Sequence, residues 1–141
     1  MKTHTYLNFA GQTEEAFQFY AKAFGGEPEF TRYSDMPMDG VALPEGDAAK
    51  IMHAQLDLGD GAVLMGSDPL AAFGHTVTMG NNAHISVQCD SKEQADALYA
   101  ALGEGGETLM PPAQQPWGTY WGNWKDRFGV YWMVNFAPEQ A

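Results

Sequence analysis

The sequence predicts an α+β fold of two βαβββ modules, and three repeated features predict it. The helical segment from Thr13 to Gly25 matches the segment from Ser91 to Gly103 at an offset of 78 residues. The stretches LGDGAVLM (58–65) and DRFGVYWM (126–133) match at an offset of 68 residues. The order of one strand, one helix and three strands also repeats. Such a duplication is typical of a pseudo-twofold protein with a cleft between its halves, where we expect the function.

Local signals place the elements of the first half. A strand from Thr5 to Ala10 precedes a helix for which Thr13 has the residue type of an N-cap. Helical spacing of apolar residues continues to Gly25, whose lack of a side chain suits a helix end. Further strand-like segments follow, separated by a long Pro- and Gly-containing loop, and the Asp60-Gly61 pair predicts a two-residue hairpin turn. These strands are expected at 27–33, 50–58 and 62–67.

The second half repeats this order with its own signals. After a strand at 82–89, Ser91 caps a helix and Gln94 completes a capping box. A strand near 107–110 leads into the Pro-rich turn PPAQQPW, and a final hairpin spans 119–136. The predicted architecture is a curved, mostly antiparallel sheet around a cleft with the helices outside. We expect a single domain, 1–141, whose modules cover about 1–70 and 80–137.

Composition restricts the partners. The chain of 141 residues carries 18 acidic and 7 basic residues, for a formal net charge of −11. This charge opposes binding to nucleic acid or to an anionic membrane surface. The N-terminus has no apolar signal-peptide core, and no apolar run reaches membrane-spanning length. Cys89 has no partner for an intramolecular disulfide and lies in an apolar run. We expect a cytoplasmic protein with Cys89 in the core.

Five segments of the sequence resemble those of a known family. They are YLNFAG (6–11), AFQFYAKAFGG (16–26), HAQLDLGDGAVLMGSD (53–68), HISV (84–87) and KDRFGVYWMVNF (125–136). Together with the βαβββ duplication, they make the chain resemble the glyoxalase/bleomycin-resistance/extradiol-dioxygenase superfamily, the vicinal oxygen chelate proteins, and within it the PhnB-like branch. The resemblance covers nearly the whole chain and implies a homodimer. It implies little about activity, because this scaffold hosts isomerases, dioxygenases, resistance proteins and binding proteins.

The resemblance also implies four metal-ligand positions, one on the first and one on the fourth strand of each module. They fall on Thr5 and Met65 in the first module, and on His84 and Met133 in the second. Only His84 fits. Thioethers are poor ligands for the divalent metals concerned and bring no negative charge. A one-residue shift would bring in His4, but we expect strand alternation to place His4 on the opposite face. We therefore expect no cofactor; if a metal binds, His84 is its ligand.

Further side chains suit an organic ligand better. His53 lies on the polar side of its strand, and the offset of 68 makes Trp121 its counterpart. Asn135 shares the face of Met133. The predicted ligand-binding residues, which would suit a small and partly apolar molecule, are Thr5, His53, Met65, His84, Trp121, Met133 and Asn135.

Whether the protein is an enzyme stays open at this point. The first hypothesis is a binding or sequestration protein without the usual metal. The alternatives are a metal-dependent lyase or dioxygenase of the same superfamily, or a metal-free enzyme that uses His53 or His84 as an acid or base, since histidine titrates near neutral pH. His75, between Gly74 and Thr76, is interpreted as a plain loop residue.

Overall fold

The computed structural model of the chain describes residues 1–138. The chain forms two compact units, Met1–Thr78 and Met79–Ala141, and each unit packs one helix on a four-stranded sheet. Unit 1 contains β1 Thr5–Asn8, α1 Thr13–Phe24, β2 Glu29–Arg32, β3 Ile51–Gly59 and β4 Ala62–Ser67. Unit 2 contains β5 Ile85–Gln88, α2 Lys92–Leu102, β6 Glu107–Gln114, β7 Tyr120–Lys125 and β8 Tyr131–Phe136. The predicted α+β fold of two βαβββ modules is confirmed.

The two sheets have the same topology. The strand order is β1-β4-β3-β2 in unit 1 and β5-β8-β7-β6 in unit 2. The first and last strands of each unit pair in parallel, and the other neighbours pair antiparallel. Both sheets are therefore mixed and mostly antiparallel, and neither closes into a barrel. Since this arrangement repeats, a position in one sheet can be compared directly with its counterpart in the other.

In unit 1, the apolar side of α1 covers one face of the sheet. Phe17 and Tyr20 are fully buried, as are Leu56 of β3 and Leu64 of β4. A Cβ atom on Gly66 would lie 2.7 Å from the Phe17 ring, so only glycine lets the helix approach β4 this closely. Burying each such large side chain contributes about 1.5–3 kcal/mol. This contact fixes which face of the sheet the helix takes and leaves the other face for function.

The beginning of α1 differs from the prediction. Thr13 is the first helical residue rather than the N-cap, and the N-cap Gln12 makes no side-chain capping bond. Asp68, at the end of β4, takes this part instead. Its Oδ1 atom accepts hydrogen bonds from the Thr13 amide at 3.1 Å, the Thr13 hydroxyl at 2.6 Å and the Gly11 amide at 3.1 Å. Its Oδ2 atom accepts from the Ile51 amide at 3.0 Å, so one buried carboxylate joins three segments.

Helix α2 begins as predicted. The Ser91 hydroxyl accepts a hydrogen bond from the Gln94 amide at 3.0 Å, while the Gln94 side chain accepts from the Asp90 amide at 2.7 Å. Thus Ser91 is the N-cap, and the reciprocal bond reaches one residue further back than in a standard capping box. The helix buries Leu98 and Leu102 against the face of the sheet that holds Trp124 and Trp132, both fully buried.

The two inner hairpins turn in different ways. Asp60 (φ 52°) and Gly61 (φ 80°) occupy the left-handed region, which confirms the two-residue turn between β3 and β4. The β7–β8 turn is organised by the buried Asp126 carboxylate. Its Oδ1 accepts from the Phe128 and Val130 amides, and its Oδ2 accepts from the Trp132 indole N–H at 2.8 Å. This carboxylate joins the turn to the core of unit 2.

Strand β6 is longer than predicted. It runs through Pro111 and Pro112 to Gln114 instead of ending at Met110. Proline is tolerated because β6 lies at the edge of its sheet, where a missing N–H costs no ladder bond. A Cβ atom on Gly122 of β7 would lie 2.5 Å from the Pro112 nitrogen, so glycine permits the approach of the two strands.

We predict that Asp68→Asn lowers the free energy of unfolding by about 3 kcal/mol, because the amide loses the charge and turns an N–H toward the Ile51 or Thr13 donors. Urea denaturation measures this change. Asp60→Asn is the matched control, since Asp60 is exposed in a turn conformation that asparagine adopts readily. Equal stability of the two variants would contradict the role given to Asp68.

Candidate functional site

Each sheet has one face that its helix does not cover, here called the helix-free face. In unit 1, Gly66 of β4 faces α1. Successive residues of a strand point to opposite faces, so Met65 and Ser67 face away from the helix. The pairing of Gln55 and Tyr6 with Met65 extends this face over three strands. Its central side chains are Tyr6 and Asn8 on β1, His53 and Gln55 on β3, and Met65 and Ser67 on β4.

The predicted placement of Thr5 is wrong. Thr5 pairs with the buried Leu64, which lies on the α1 side, whereas Tyr6 pairs with Met65. In unit 2 the residue paired with Met133 is Ser86, so Tyr6 corresponds to Ser86. His4 is therefore the counterpart of His84, each two residues before that position. A first-strand position was misassigned by one residue, and the shift moves it to the other face.

A short polar chain crosses the helix-free face of unit 1. The Tyr6 hydroxyl lies 3.4 Å from His53 Nδ1, and the two rings are 5.8 Å apart. On the other side of the imidazole, Nε2 lies 3.4 Å from Gln55 Oε1. When His53 Nε2 carries the proton, it donates to Gln55 Oε1, and Nδ1 is then free to accept from the Tyr6 hydroxyl. Thus His53 is held between a donor and an acceptor, next to the Met65 thioether.

One end of this face opens into a cavity of about 500 Å³. Asn8, Tyr33 and Ser67 line it together with His75 and Thr76 from the following loop. Ser67 donates to Asn8 at 3.1 Å, and Tyr33 donates to the Asp68 backbone carbonyl at 2.7 Å. Burial raises the pKa of Tyr33, so its hydroxyl stays a donor at neutral pH. His75, interpreted from sequence as a plain loop residue, lies at this cavity.

The helix-free face of unit 2 has the same plan with different side chains. Asn135 donates to Gln88 at 2.9 Å, and Gln88 donates to Ser86 at 3.1 Å, so a row of polar groups crosses β8 and β5. The side chains of this face are Ser86 and Gln88 on β5, Tyr131, Met133 and Asn135 on β8, and Trp121, Asn123 and Lys125 on β7.

His84 lies beside Tyr131, with ring centroids 5.1 Å apart in an edge-to-face arrangement. The Lys125 ammonium lies 6.0 Å from the centre of the same tyrosine ring. A neighbouring cavity of about 290 Å³ is lined by Lys125 and Tyr131 with Met79 and Asn81. His84 is exposed to solvent.

Two tryptophans form an aromatic corner at the other end of this face. Trp121 and Trp117 meet edge-to-face with ring centroids 5.8 Å apart. The Trp117 indole N–H donates to the Thr119 hydroxyl at 2.7 Å, which fixes a side chain that is 62% exposed. An exposed and fixed tryptophan offers apolar surface at little entropic cost on binding.

The structure groups most of the predicted site residues within their units. His53 and Met65 share the helix-free face of unit 1, and Trp121, Met133 and Asn135 share that of unit 2, with His84 next to Tyr131. Sequence reasoning missed Tyr6, Gln55 and Asn123 on these faces. Alternation from His53 and Met65 could have found Gln55. The ligand-binding role of these residues, the cleft between the halves and the homodimer stay predictions.

Within residues 1–138, no group of three or more His, Cys, Asp and Glu side chains is placed to hold a metal ion. Across that range, every helix is too short or too polar to span a membrane. Cys89 is buried, and burial raises the pKa of its thiol, which disfavours the reactive thiolate.

Comparison with known proteins places the chain in a family. Residues 3–134 match the family model described as the glyoxalase/bleomycin resistance protein/dioxygenase superfamily. The chain belongs to this superfamily. The match spans both βαβββ modules, so the duplicated scaffold and its helix-free faces are those of the glyoxalase fold.

Three relatives of the glyoxalase superfamily cover nearly the whole chain. Protein PA1353 of Pseudomonas aeruginosa is 36% identical with a TM-score of 0.85, and the match covers 99% of both chains. A PhnB protein of Bacillus cereus is 27% identical with a TM-score of 0.74, covering 97% of this chain and 100% of that one. YjdN of Escherichia coli is 24% identical over 149 residues, covering 99% of this chain and 98% of YjdN. The resemblance to the PhnB-like branch is confirmed.

Proposed function

We propose that this PhnB-like protein binds a small, neutral and partly apolar organic molecule on the helix-free faces of its sheets, without the divalent metal usual in its superfamily. The observation that carries the proposal is the chemistry of the central rows. Thioethers at Met65 and Met133 stand next to amides at Gln55 and Asn123, with His53 and Trp121 beside them. Such surfaces combine apolar contact with a few directional hydrogen bonds, as small-molecule sites do.

The donor set argues against a metal centre. With the register corrected, His4 and His84 occupy the two first-strand positions, and imidazole suits a divalent ion. Both fourth-strand positions carry methionine, however, so no carboxylate offsets the charge of the ion. Hard or borderline divalent metals bind thioethers weakly. The residues present do not fit the usual centre.

Elemental analysis tests this part of the proposal. We predict that untagged protein purified without chelator contains clearly less than one equivalent of zinc, nickel, manganese or iron. A supplement of each metal should leave the melting temperature unchanged, because binding to the native state alone would raise it. Stoichiometric metal would contradict the proposal and favour a metal-dependent lyase or dioxygenase.

We predict that Trp121→Ala weakens the binding of aromatic fragments about tenfold, because it removes one ring of the aromatic corner. Thermal-shift screening of neutral aromatic fragments supplies the ligand, and calorimetry measures its affinity. Tyr120→Phe is the control, since Tyr120 donates to Asp96 of α2 on the opposite face. Equal weakening by both substitutions, or no effect of Trp121→Ala, would argue against a site on this face.

A metal-free acid–base enzyme is the second candidate, favoured by the chain of Tyr6, His53 and Gln55. A histidine held between a phenol and an amide can take up a proton at Nδ1 while Nε2 stays oriented. If a reaction is found, His53→Gln should lower kcat by about a hundredfold or more. Retention of activity in a variant lacking both His53 and His84 would exclude this mechanism.

A further inference from the structure

We infer that Asn123 is the polar anchor of the ligand in unit 2, and that the ligand presents an O–H or N–H donor to it. The inference rests on the proposed function and extends it to a residue and a ligand chemistry. Asn123 is on β7, where it pairs with Met133 on β8 and with Met110 on β6. Its side chain thus lies on the helix-free face next to the Met133 thioether.

The observation that carries the inference is an unfilled acceptor. The Asn123 Oδ1 atom is buried and has no hydrogen-bond partner among residues 1–138. Buried polar atoms in native proteins are nearly always paired, because a buried acceptor without a donor has lost its water and gained nothing. An unfilled acceptor on a face proposed to bind a ligand therefore calls for a donor from outside the chain.

The duplication supplies an internal comparison. The counterpart of Asn123 in unit 1 is Gln55, because each pairs with the methionine of its last strand. There the amide oxygen is 3.4 Å from His53 Nε2, which donates to it when that nitrogen carries the proton. The counterpart of His53 is Trp121, which makes no such contact with Asn123. With tryptophan at the position of the histidine, unit 2 lacks this internal donor, and a ligand donor can take its place.

The Trp124 indole nitrogen is also buried without a partner in the described residues, yet Trp124 is fully buried on the α2 side beside Tyr99. A ligand cannot reach it without opening the core. Asn123, in contrast, is only partly buried as a residue. Of these two atoms, only the Asn123 oxygen belongs to a side chain on the helix-free face; the Trp124 nitrogen belongs to the α2 core.

The surroundings define the ligand further. Met133 offers polarizable apolar contact beside the acceptor. An amide oxygen repels anions, and the formal net charge of −11 adds to that repulsion. The ligand class is therefore a compact neutral molecule with an apolar body and one hydroxyl or N–H group, such as a phenol.

Phenol and anisole make a matched pair of probes, since the methyl ether removes only the donor. Methionine methyl NMR would follow Met133 and Met65 during titration with each probe. We expect phenol to bind at Met133 about fivefold more tightly than anisole, from one added hydrogen bond. Asn123→Leu should remove this preference, whereas Gln55→Leu, the matched change in unit 1, should keep it.

Equal affinity of the two probes at Met133, a preference that survives Asn123→Leu, or no phenol binding at Met133 would each overturn the inference. The proposed function fails separately, if no neutral fragment of the screen shifts either Met65 or Met133. A ligand that binds to these faces without contacting Asn123 would thus support the proposed function and contradict the role of Asn123 as the anchor.

Stability provides a test without any ligand. Because an unfilled buried acceptor is unfavourable, Asn123→Leu should raise the melting temperature by about 3 °C. Gln55→Leu should lower it, since it removes the partner of His53. A lower melting temperature for Asn123→Leu would show that the amide already has a partner, and it would overturn the inference.

Discussion

The buried carboxylate of Asp68 is the constraint on which unit 1 depends. It accepts hydrogen bonds from the loop before α1, the first turn of α1 and the first residue of β3, while its own backbone ends β4. These segments are up to 57 residues apart in the chain. A carboxylate in the interior is tolerated only when its oxygens accept hydrogen bonds in this way. Loss of one donor or of the charge would therefore loosen the helix, the sheet and the loop together.

In unit 2 the start of the helix is fixed by a neighbouring residue and not by a distant carboxylate. Features that depend on such local contacts could be predicted from the sequence. Ser91 caps α2 from the adjacent position, and in unit 1 Asp60-Gly61 forms the β3–β4 turn within two residues, so both were predicted from a few neighbouring residues. The part of Thr13 was misread because its partner, Asp68, is distant in the chain. Strand β6 was ended too early because the tolerance of Pro111 depends on an edge position, which only the assembled sheet defines.

The site shows the same limit of local reasoning. Strand β1 has four residues, and neither of its alternating pairs is clearly apolar. Its phase was therefore undetermined until β4 fixed it, and Thr5 was chosen where Tyr6 faces Met65. The positions on β3, β4, β7 and β8 were easier, because one face of each of these longer strands is clearly apolar. Asn123 could not be singled out from sequence, since an unfilled acceptor is a property of its surroundings.

Comparison of the two faces explains why duplication need not give two equal sites. Both keep a methionine on the last strand and an amide beside it, which are side chains without charge. In unit 1 the Nε2 atom of His53 lies 3.4 Å from the amide oxygen of Gln55, so a ligand there would have to displace an internal contact. In unit 2 tryptophan replaces that histidine, which adds apolar surface and leaves the acceptor empty. On the proposed function, this difference gives unit 2 more apolar surface and an acceptor for the ligand, so a ligand with a single donor should prefer unit 2.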